Sequence, residues 1–287
     1  MPRQGAGAVA GGRSPRREAD RRFFVGLARA FGGAVFFSLP LLMTMEMWWL
    51  GFYMGRLQLA LFMLVMLPVL VGLDHYSGFE QTSTWGQDVL DALVAYAVGY
   101  AASVTILLLF GVIHLDTPPR EALGAVALQA VPGSFGAVLA ASQLGGGGEE
   151  EERRKRRAGY PAEVFFMLSG ALFLAFNVAP TEEMVLISYM MTPVHALLLM
   201  GASLAMMHAF VYAVEFRGTP HRALGASAWS AFLRFTMVGY AVALGASAYV
   251  LWTFGRFEGE ALASVATQAI VLGFPAALGA AGARLIL

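Results

Sequence analysis

Long apolar stretches, each about the length of a membrane span, alternate with short polar segments along most of the chain. A helix that crosses a bilayer needs roughly 20 predominantly apolar residues. We predict membrane-spanning helices at residues 23–43, 57–73, 89–113, 121–143, 162–179, 194–214, 229–253 and 261–285. The second stretch is short and contains Pro68, which argues against a straight helix there. The pattern therefore predicts an all-α polytopic membrane protein with about eight transmembrane helices.

The composition agrees with a membrane protein and excludes most soluble classes. Hydrophobic types make up 58% of the 287 residues and charged types only 13%, whereas soluble domains carry about 25% charged residues. Many of the 19 basic and 19 acidic groups crowd into residues 1–22 and 149–157. This distribution excludes a nucleic-acid-binding surface, a disordered chain and an ordinary soluble enzyme. The chain has no cysteine, so it holds no disulfide and no thiolate metal site.

The positions of Lys and Arg predict which side of the membrane each loop faces. With a cytoplasmic N-terminus, the inner segments hold 13 basic residues and the outer loops hold three. Because cytoplasmic loops carry an excess of Lys and Arg, we expect both termini to be cytoplasmic. Residues 1–21 then form an Arg/Gly-rich tail, and residues 145–160 form a charged cytoplasmic linker. The linker is either a solvated spacer or a contact with lipid headgroups or a regulatory partner.

The two halves of the chain resemble each other. Residues 121–140 align without a gap with residues 260–279, and ten of the twenty positions are identical. Two shorter matches precede this one in the same order, Gly33-Ala34-x-Phe36 with Gly170-Ala171-x-Phe173 and Thr44-x-Glu46-Met47 with Thr181-x-Glu183-Met184. We therefore predict a duplicated four-helix unit, with repeat 1 at residues 22–144 and repeat 2 at residues 161–287.

An even number of spans in each unit makes the two repeats parallel. A pseudo-twofold axis should then run along the membrane normal, as it does in some transporters. Small residues let membrane helices approach closely without an apolar driving force between them. We expect this role for Gly32, Gly33, Gly99, Gly245 and Gly279.

Glu46 and Glu183 are the first candidates for a functional role. Each follows the first predicted helix of its repeat, with a proline a few residues before it. Proline and carboxylates are typical of helix starts, so we predict a broken helix whose second segment begins near Thr44 or Thr181. Either the glutamates only begin short interfacial helices, or they flank one axial entrance and attract cations. In the second case the two carboxylates would couple electrostatically, and one could hold a proton near neutral pH.

Other polar residues inside the predicted spans are candidates for packing or for transport. An ion pair between Asp91 and Arg234 would be a structural clamp, and Asp91 could instead line a pathway or lie at the interface. His208 is either a titratable group or a histidine bonded to a neighbouring helix. Gln129 and Gln268 occupy equivalent positions and would bond each other across the axis or line a pore. The candidates for transport or cation binding are Glu46, Glu183, Asp91, Gln129, Gln268 and His208.

No motif supports enzymatic chemistry. The sequence contains no His-Glu-x-x-His helix, no Gly-x-Ser-x-Gly turn and no phosphate loop ending in Gly-Lys-Ser/Thr. The five histidines show no metal-ligand spacing. We therefore predict no catalytic residue, no metal and no cofactor.

Two segments resemble a known family. The stretch from Phe37 to Gly51, FSLPLLMTMEMWWLG, and the stretch from Asn177 to Met184, NVAPTEEM, are similar to a family of bacterial integral membrane proteins labelled a domain of unknown function. The resemblance covers both repeats and supports the membrane assignment, but it implies no activity and no ligand residues. Together with the single lysine among the basic residues, it favours a bacterial inner membrane.

Two functions fit these features. The first is a channel or transporter for a small cation or proton, with a polar path at the repeat interface. The alternative is a non-transporting membrane scaffold or sensor, whose basic tail and linker contact anionic lipid or a partner. The lipid bilayer is a partner in both, no nucleic acid is expected, and a homo-oligomer is left open. A dry, filled interface would favour the scaffold, and a water-accessible cavity that reaches Glu46 and Glu183 would favour transport.

Overall fold

Helices dominate the computed structural model, which describes residues 15–77, 85–144, 159–215 and 228–286. The first half contains α1 (Pro15–Leu42), α2 (Met45–Tyr53), α3 (Arg56–Ser77), α4 (Trp85–Leu109) and α5 (Pro119–Leu144). The second half contains α6 (Tyr160–Val178), α7 (Glu182–Met190), α8 (Pro193–Glu215), the short α9 (Ala228–Ala231), a π-helical segment (Phe232–Met237), α10 (Val238–Thr253) and α11 (Leu262–Ile286). These four ranges contain no strand.

Eight helices of the described chain are long and apolar enough to cross a membrane. They are α1, α3, α4, α5, α6, α8, the π-helical segment with α10, and α11. This confirms the all-α class and the number of spans, while the duplication stays a prediction. We call the side of the membrane on which α1 begins the N-side, and the opposite side the far side. The first, third, fifth and seventh spans begin on the N-side.

The third span lies four residues earlier than predicted, at Trp85–Leu109 instead of residues 89–113. Gly111 has a φ of 67°, and the Val112 N–H donates to the Leu107 carbonyl at 2.9 Å. A left-handed glycine directly after a helix ends it and satisfies its last carbonyls. The apolar pattern continues through Val112 and Ile113, but the backbone has already turned at Gly111.

The last helix of each half is the centre of that half. In the first half α5 packs against α1, α2, α3 and α4, and in the second half α11 packs against α6, α7, α8 and α10. The two halves are not covered equally. In its most apolar 18-residue window α5 has 83% of its residues buried, whereas α11 has 39%. The outer face of α11 is therefore available to lipid.

Glycines allow the closest of these contacts. A Cβ added at Gly136 would overlap the main chain of Gly33, and one added at Gly279 would overlap the carbonyl of Gly170. The small side chains bring the helix backbones together, as expected in a bilayer, where packing rather than water exclusion holds helices to one another. The same role was predicted for Gly32 and Gly245. It is wrong for both, because a Cβ at either position meets nothing within 4 Å.

The two halves meet along what we call the seam, where α6 packs on α1, α3 and α5, and where α10 packs on α3. Aromatic rings from both halves meet there in pairs, with ring centroids 5.3 to 6.2 Å apart. The pairs are Phe37–Phe173, Phe62–Phe176, Phe62–Phe254, Phe135–Phe176, Tyr76–Phe165 and Tyr76–Phe166. These distances are typical of packed aromatic pairs, so apolar rings fill the seam where they meet.

Candidate functional site

Each half breaks after its first long helix, at Thr44 and at Thr181. Both threonines have extended backbone. Thr44 directly precedes α2, Thr181 directly precedes α7, and each of these helices has nine residues. The predicted broken helices are confirmed at these positions. The Thr44 hydroxyl donates to the Pro40 carbonyl at 2.6 Å, and the Thr181 hydroxyl donates to the Val178 carbonyl at 2.8 Å. Each threonine thus satisfies one of the carbonyls that the end of a helix leaves without a partner.

The methionine and the glutamate of the Thr-x-Glu-Met segments face different surroundings. Met47 and Met184 are 0% and 1% exposed, so each fixes its short helix to the core. Glu46 is half-buried and Glu183 is exposed, both in the first turn of their helices. Within the described residues neither carboxylate has a hydrogen-bond or ion-pair partner. This placement is the one expected of glutamates that begin interfacial helices.

The helices that carry Glu46 and Glu183 lie in different halves, and a shared axial entrance between the two carboxylates stays a prediction. The helix that carries Glu46, α2, packs on α1 and α5. The helix that carries Glu183, α7, packs on α11. Each short helix is therefore tied to the central helix of its own half.

Different side chains satisfy the helix ends at the two breaks. In the first half the Trp48 indole N–H donates to the Leu42 carbonyl at 2.7 Å. In the second half Arg256, from the loop between α10 and α11, donates through Nη2 to the Pro180 carbonyl and through Nη1 to Glu182 Oε1, the latter at 2.9 Å. The sequence match with Glu46 points to Glu183, but its neighbour Glu182 makes the ion pair. The available signal was Arg256 itself, an isolated basic residue in an outer loop.

The loop that carries Arg256 also joins the two halves on the far side. Gln58, at the start of α3, donates through Nε2 to Glu258 Oε1 at 3.3 Å. Tyr189, in α7, donates its hydroxyl to Glu260 Oε1. That hydrogen bond to a carboxylate raises the pKa of the Tyr189 hydroxyl. These polar contacts lie at the membrane surface and hold the loop over the far-side end of the bundle.

A second polar group lies on the N-side, where α3 ends and α4 begins. His75 Nδ1 lies 2.8 Å from Asp88 Oδ2, and the Asp88 side chain is only 4% exposed. The Trp85 ring stacks on the His75 ring at 4.7 Å, with the planes 11° apart. Asp74 beside them is also buried. Within the described ranges, no group of three or more His, Asp or Glu side chains is placed to hold a metal ion.

The structure does not bring Asp91 and Arg234 together. Asp91 lies on α4, which packs against α1, α3 and α5, all in the first half. Arg234 lies in the π-helical segment of the second half, and its side chain is exposed. The predicted ion pair requires α4 to pack against the seventh span. In the structure α3 packs against α10, the main helix of that span, and α4 does not.

His208 is bonded to a neighbouring helix, which is one of its two predicted roles. Its Nδ1 lies 3.0 Å from the hydroxyl of Thr236, a fully buried residue of the π-helical segment. The His208 ring also meets the Phe232 ring edge to face, with centroids 5.3 Å apart. The histidine therefore joins α8 to the start of the seventh span. Tyr160 stabilises the same segment by donating its hydroxyl to the Arg234 carbonyl at 2.8 Å.

Gln129 and Gln268 are both fully buried, in α5 and α11. Among the described residues neither side-chain amide has a hydrogen-bond partner, so the two glutamines do not bond each other. The reason is architectural: α5 and α11 are the centres of separate halves and do not pack together. The hydroxyl of Ser103 on α4 is likewise buried without a partner in the described chain. Such groups are unusual because an unpaired buried amide is costly.

Comparison with known proteins assigns the chain to a family. No curated protein and no solved structure matches it. Residues 26–287, which include both halves and the linker, match the model of the family described as "Putative integral membrane protein (DUF2391)". This match agrees with the eight membrane-spanning helices of the described chain. The chain therefore belongs to the DUF2391 family of integral membrane proteins.

Proposed function

We propose that this multi-pass membrane protein is a non-transporting scaffold or sensor, which holds its charged tail and linker at the cytoplasmic surface. The packing of the seam supports this proposal. A channel or transporter with a polar path between the halves needs polar groups or water along that path. Ring pairs such as Phe62–Phe176 and Phe37–Phe173 occupy the seam instead.

The placement of the charged groups also supports a scaffold. The Glu182–Arg256 ion pair lies on the far side, and the His75–Asp88 pair lies on the N-side. Both pairs connect neighbouring elements at the membrane surfaces. Of the predicted surface contacts, the tail at residues 1–21 and the linker at residues 145–160, the described parts are residues 15–21, which begin α1, and residues 159–160. The basic run at residues 153–157 suits contact with anionic headgroups, which attract clustered Lys and Arg.

Reconstitution into liposomes tests both parts of the proposal. We expect Na⁺, K⁺ and proton flux under imposed gradients to equal that of protein-free liposomes. We also expect liposomes that contain phosphatidylglycerol to protect the linker from trypsin, which cleaves after Lys and Arg, better than liposomes of phosphatidylcholine alone. A variant with residues 153–157 replaced by glutamine is the control, and a glutamate-specific protease, which cleaves after residues 149–152, should cleave its linker at similar rates in both liposomes.

Protein-dependent ion flux would overturn the proposal. If that flux disappears in a Glu46→Gln/Glu183→Gln double variant, the carboxylates belong to the mechanism and the seam must open. If the flux is unchanged in that variant, transport is established but these two side chains are excluded from it.

Transport of a small cation or proton is the second candidate, because one observation favours it. Four fully buried polar residues, Ser38, Ser103, Gln129 and Ser134, lie on the mutually packed helices α1, α4 and α5. A Cβ added at Gly99 would lie 2.6 Å from the Ser134 hydroxyl, and one at Gly133 would lie 3.8 Å from the Ser38 hydroxyl. A path would then run inside the first half and not along the seam. Flux that a Gln129→Leu variant abolishes, while Gln268→Leu leaves it intact, would support this candidate.

A further inference from the structure

An apolar groove opens outward between α6 and α10. Its volume is about 390 Å³, and its lining includes Pro161, Val164, Phe165 and Leu168 on one side and Gly245 and Ala246 on the other. A Cβ added at Gly245 meets nothing within 4 Å, so the glycine forms part of an open surface. Because the groove lies between two membrane-spanning helices and faces outward, hydrocarbon from the bilayer is its natural content.

The groove begins at the N-side surface and extends into one leaflet. Its lining on α6 runs from Pro161, the second residue of the helix, to Leu168. At 1.5 Å per residue this length is about 10 Å. One leaflet of a bilayer has a hydrocarbon depth of about 15 Å. The groove is therefore long enough for part of a single acyl chain within this leaflet.

A cation lies at the same end of the seventh span. Arg234 is exposed, and its side chain has no ion pair among the described residues. Arg234 lies about two helical turns before the groove residue Val242, and so it is nearer to the N-side. Arginine side chains near helix ends extend to the headgroup region, where their charge attracts anionic lipid.

Two contacts fix the backbone that carries this arginine. The Tyr160 hydroxyl donates to the Arg234 carbonyl at 2.8 Å, and the Tyr160 ring meets the Phe235 ring with centroids 5.9 Å apart. Tyr160 also directly precedes Pro161, the first lining residue. The acidic residue on this turn, Glu163, is half-buried and already makes a contact of its own. The mouth of the groove is thus an ordered structure with an exposed positive charge.

We propose that this groove binds one acyl chain of an anionic phospholipid from the N-side leaflet, with the lipid phosphate at Arg234. The acyl chain lies along Phe165 and Leu168 and over Gly245. The site is independent of whether the protein transports ions, because it lies on the outer surface between α6 and α10. Phe165 is the one lining residue that also takes part in the ring pairs of the seam.

Two pairs of matched variants test the site. Gly245→Leu fills the groove, and Gly201→Leu is its control, because Gly201 lies on α8, is exposed and also has nothing within 4 Å of an added Cβ. Arg234→Gln removes the cation, and Arg29→Gln is its control, because Arg29 is exposed on α1. The measurement is native mass spectrometry of the full chain, titrated with phosphatidylglycerol or with phosphatidylcholine of the same acyl chains.

We expect the wild-type protein to retain phosphatidylglycerol in preference to phosphatidylcholine. Arg234→Gln should weaken phosphatidylglycerol binding about fivefold, the factor that corresponds to about 1 kcal/mol for one basic residue near the membrane surface. It should weaken phosphatidylcholine binding less, because the choline ammonium of that lipid already balances the phosphate charge. Gly245→Leu should weaken the binding of both lipids, and neither control should change either one.

Equal retention of the two lipids by the wild-type protein would overturn the proposal. So would a loss of binding in Gly201→Leu or Arg29→Gln as large as the loss in its partner variant. Thermal unfolding in neutral detergent checks that each variant is folded. Gly245→Leu adds a side chain into open space and replaces a helical glycine, so its unfolding temperature should not fall.

Discussion

The ring of Phe62 in α3 meets the ring of Phe176 in α6 edge to face, with centroids 5.5 Å apart and planes at 88°. The two side chains are 1% and 0% exposed. Phe176 also meets Phe135 of α5 at 5.9 Å, so three helices from both halves converge on one ring. In a bilayer such packing holds helices together through dispersion contacts, because lipid is as apolar as the side chains themselves.

Phe176→Ala should therefore destabilise the contact between the halves. In soluble proteins Phe→Ala in a core costs about 3–5 kcal/mol. In lipid the transfer from water contributes little, and we expect about 2 kcal/mol from lost packing and the residual cavity. Unfolding of the protein in mixed micelles of increasing SDS fraction measures the change. Phe36→Ala is the control, because Phe36 is 74% exposed. Equal effects of the two variants would contradict a packed seam.

The Thr-x-Glu-Met segments should act through methionine and not through glutamate. Met47→Ala and Met184→Ala each remove a fully buried side chain, and each should lower the free energy of unfolding by about 2 kcal/mol. Glu46→Gln and Glu183→Gln should change it by less than about 0.5 kcal/mol, because neither carboxylate has a partner in the described residues. SDS unfolding compares all four variants. Larger losses in the glutamate variants would restore a role for the carboxylates.

Arg256→Gln should destabilise the protein more than Glu182→Gln does. The Arg256 side chain is 20% exposed and also donates to the Pro180 carbonyl, whereas Glu182 is 69% exposed. Exposed ion pairs contribute about 0–1 kcal/mol, but loss of the guanidinium leaves a helix-end carbonyl unsatisfied, at about 1–3 kcal/mol.

A double-mutant cycle separates the two contacts of Arg256. The coupling energy between Arg256 and Glu182 should be below about 1 kcal/mol, with most of the effect of Arg256→Gln persisting in the Glu182→Gln background. A coupling energy as large as the whole effect would show that the ion pair, and not the Pro180 carbonyl, is the principal contact.

Gly279→Ala should be destabilising although alanine favours helices. A Cβ at Gly279 overlaps the Gly170 carbonyl, so α6 and α11 must separate, at about 1–3 kcal/mol. Gly32→Ala, in open space on α1, should instead be neutral or stabilising by up to about 1 kcal/mol. Thermal unfolding in detergent distinguishes them. Similar unfolding temperatures for the two variants would mean that the closest approach of α6 and α11 lies elsewhere.

The alignment of the two halves differs from their packing by one helical turn. The sequence pairs Ala140 with Gly279, but the glycine that faces the Gly33 carbonyl is Gly136, as Gly279 faces the Gly170 carbonyl. Small residues recur every four positions on both helices, so several registers offer the same close contact. Sequence identity therefore could not select the register, because the choice depends on all the neighbours of α5 and α11 at once.

For the candidate polar groups too, the sequence could not determine which helices meet. His208 bonds to a neighbouring helix, as one of its two interpretations predicted, and the structure identifies the partner as the Thr236 hydroxyl. Asp91 and Arg234 lie on helices that pack within different halves, and Gln129 and Gln268 lie at the centres of different halves. Each of these pairings assumed that equivalent helices meet across an axis. The contacts that do join the halves are mostly aromatic, and no spacing in the sequence distinguishes a phenylalanine at the seam from one that faces lipid.

The sequence by itself determined the properties that depend on local chemistry. Runs of apolar residues set the number of spans, since each helix must bury its own backbone hydrogen bonds in lipid. Threonine, proline and carboxylates placed the breaks at Thr44 and Thr181. Only the tertiary structure decided which helices pack together, that rings fill the seam, that Arg256 reaches the end of α6 and that Gly245 borders an open groove. These outcomes depend on side chains distant in sequence, and in a membrane every face of every helix is apolar enough to meet either lipid or protein.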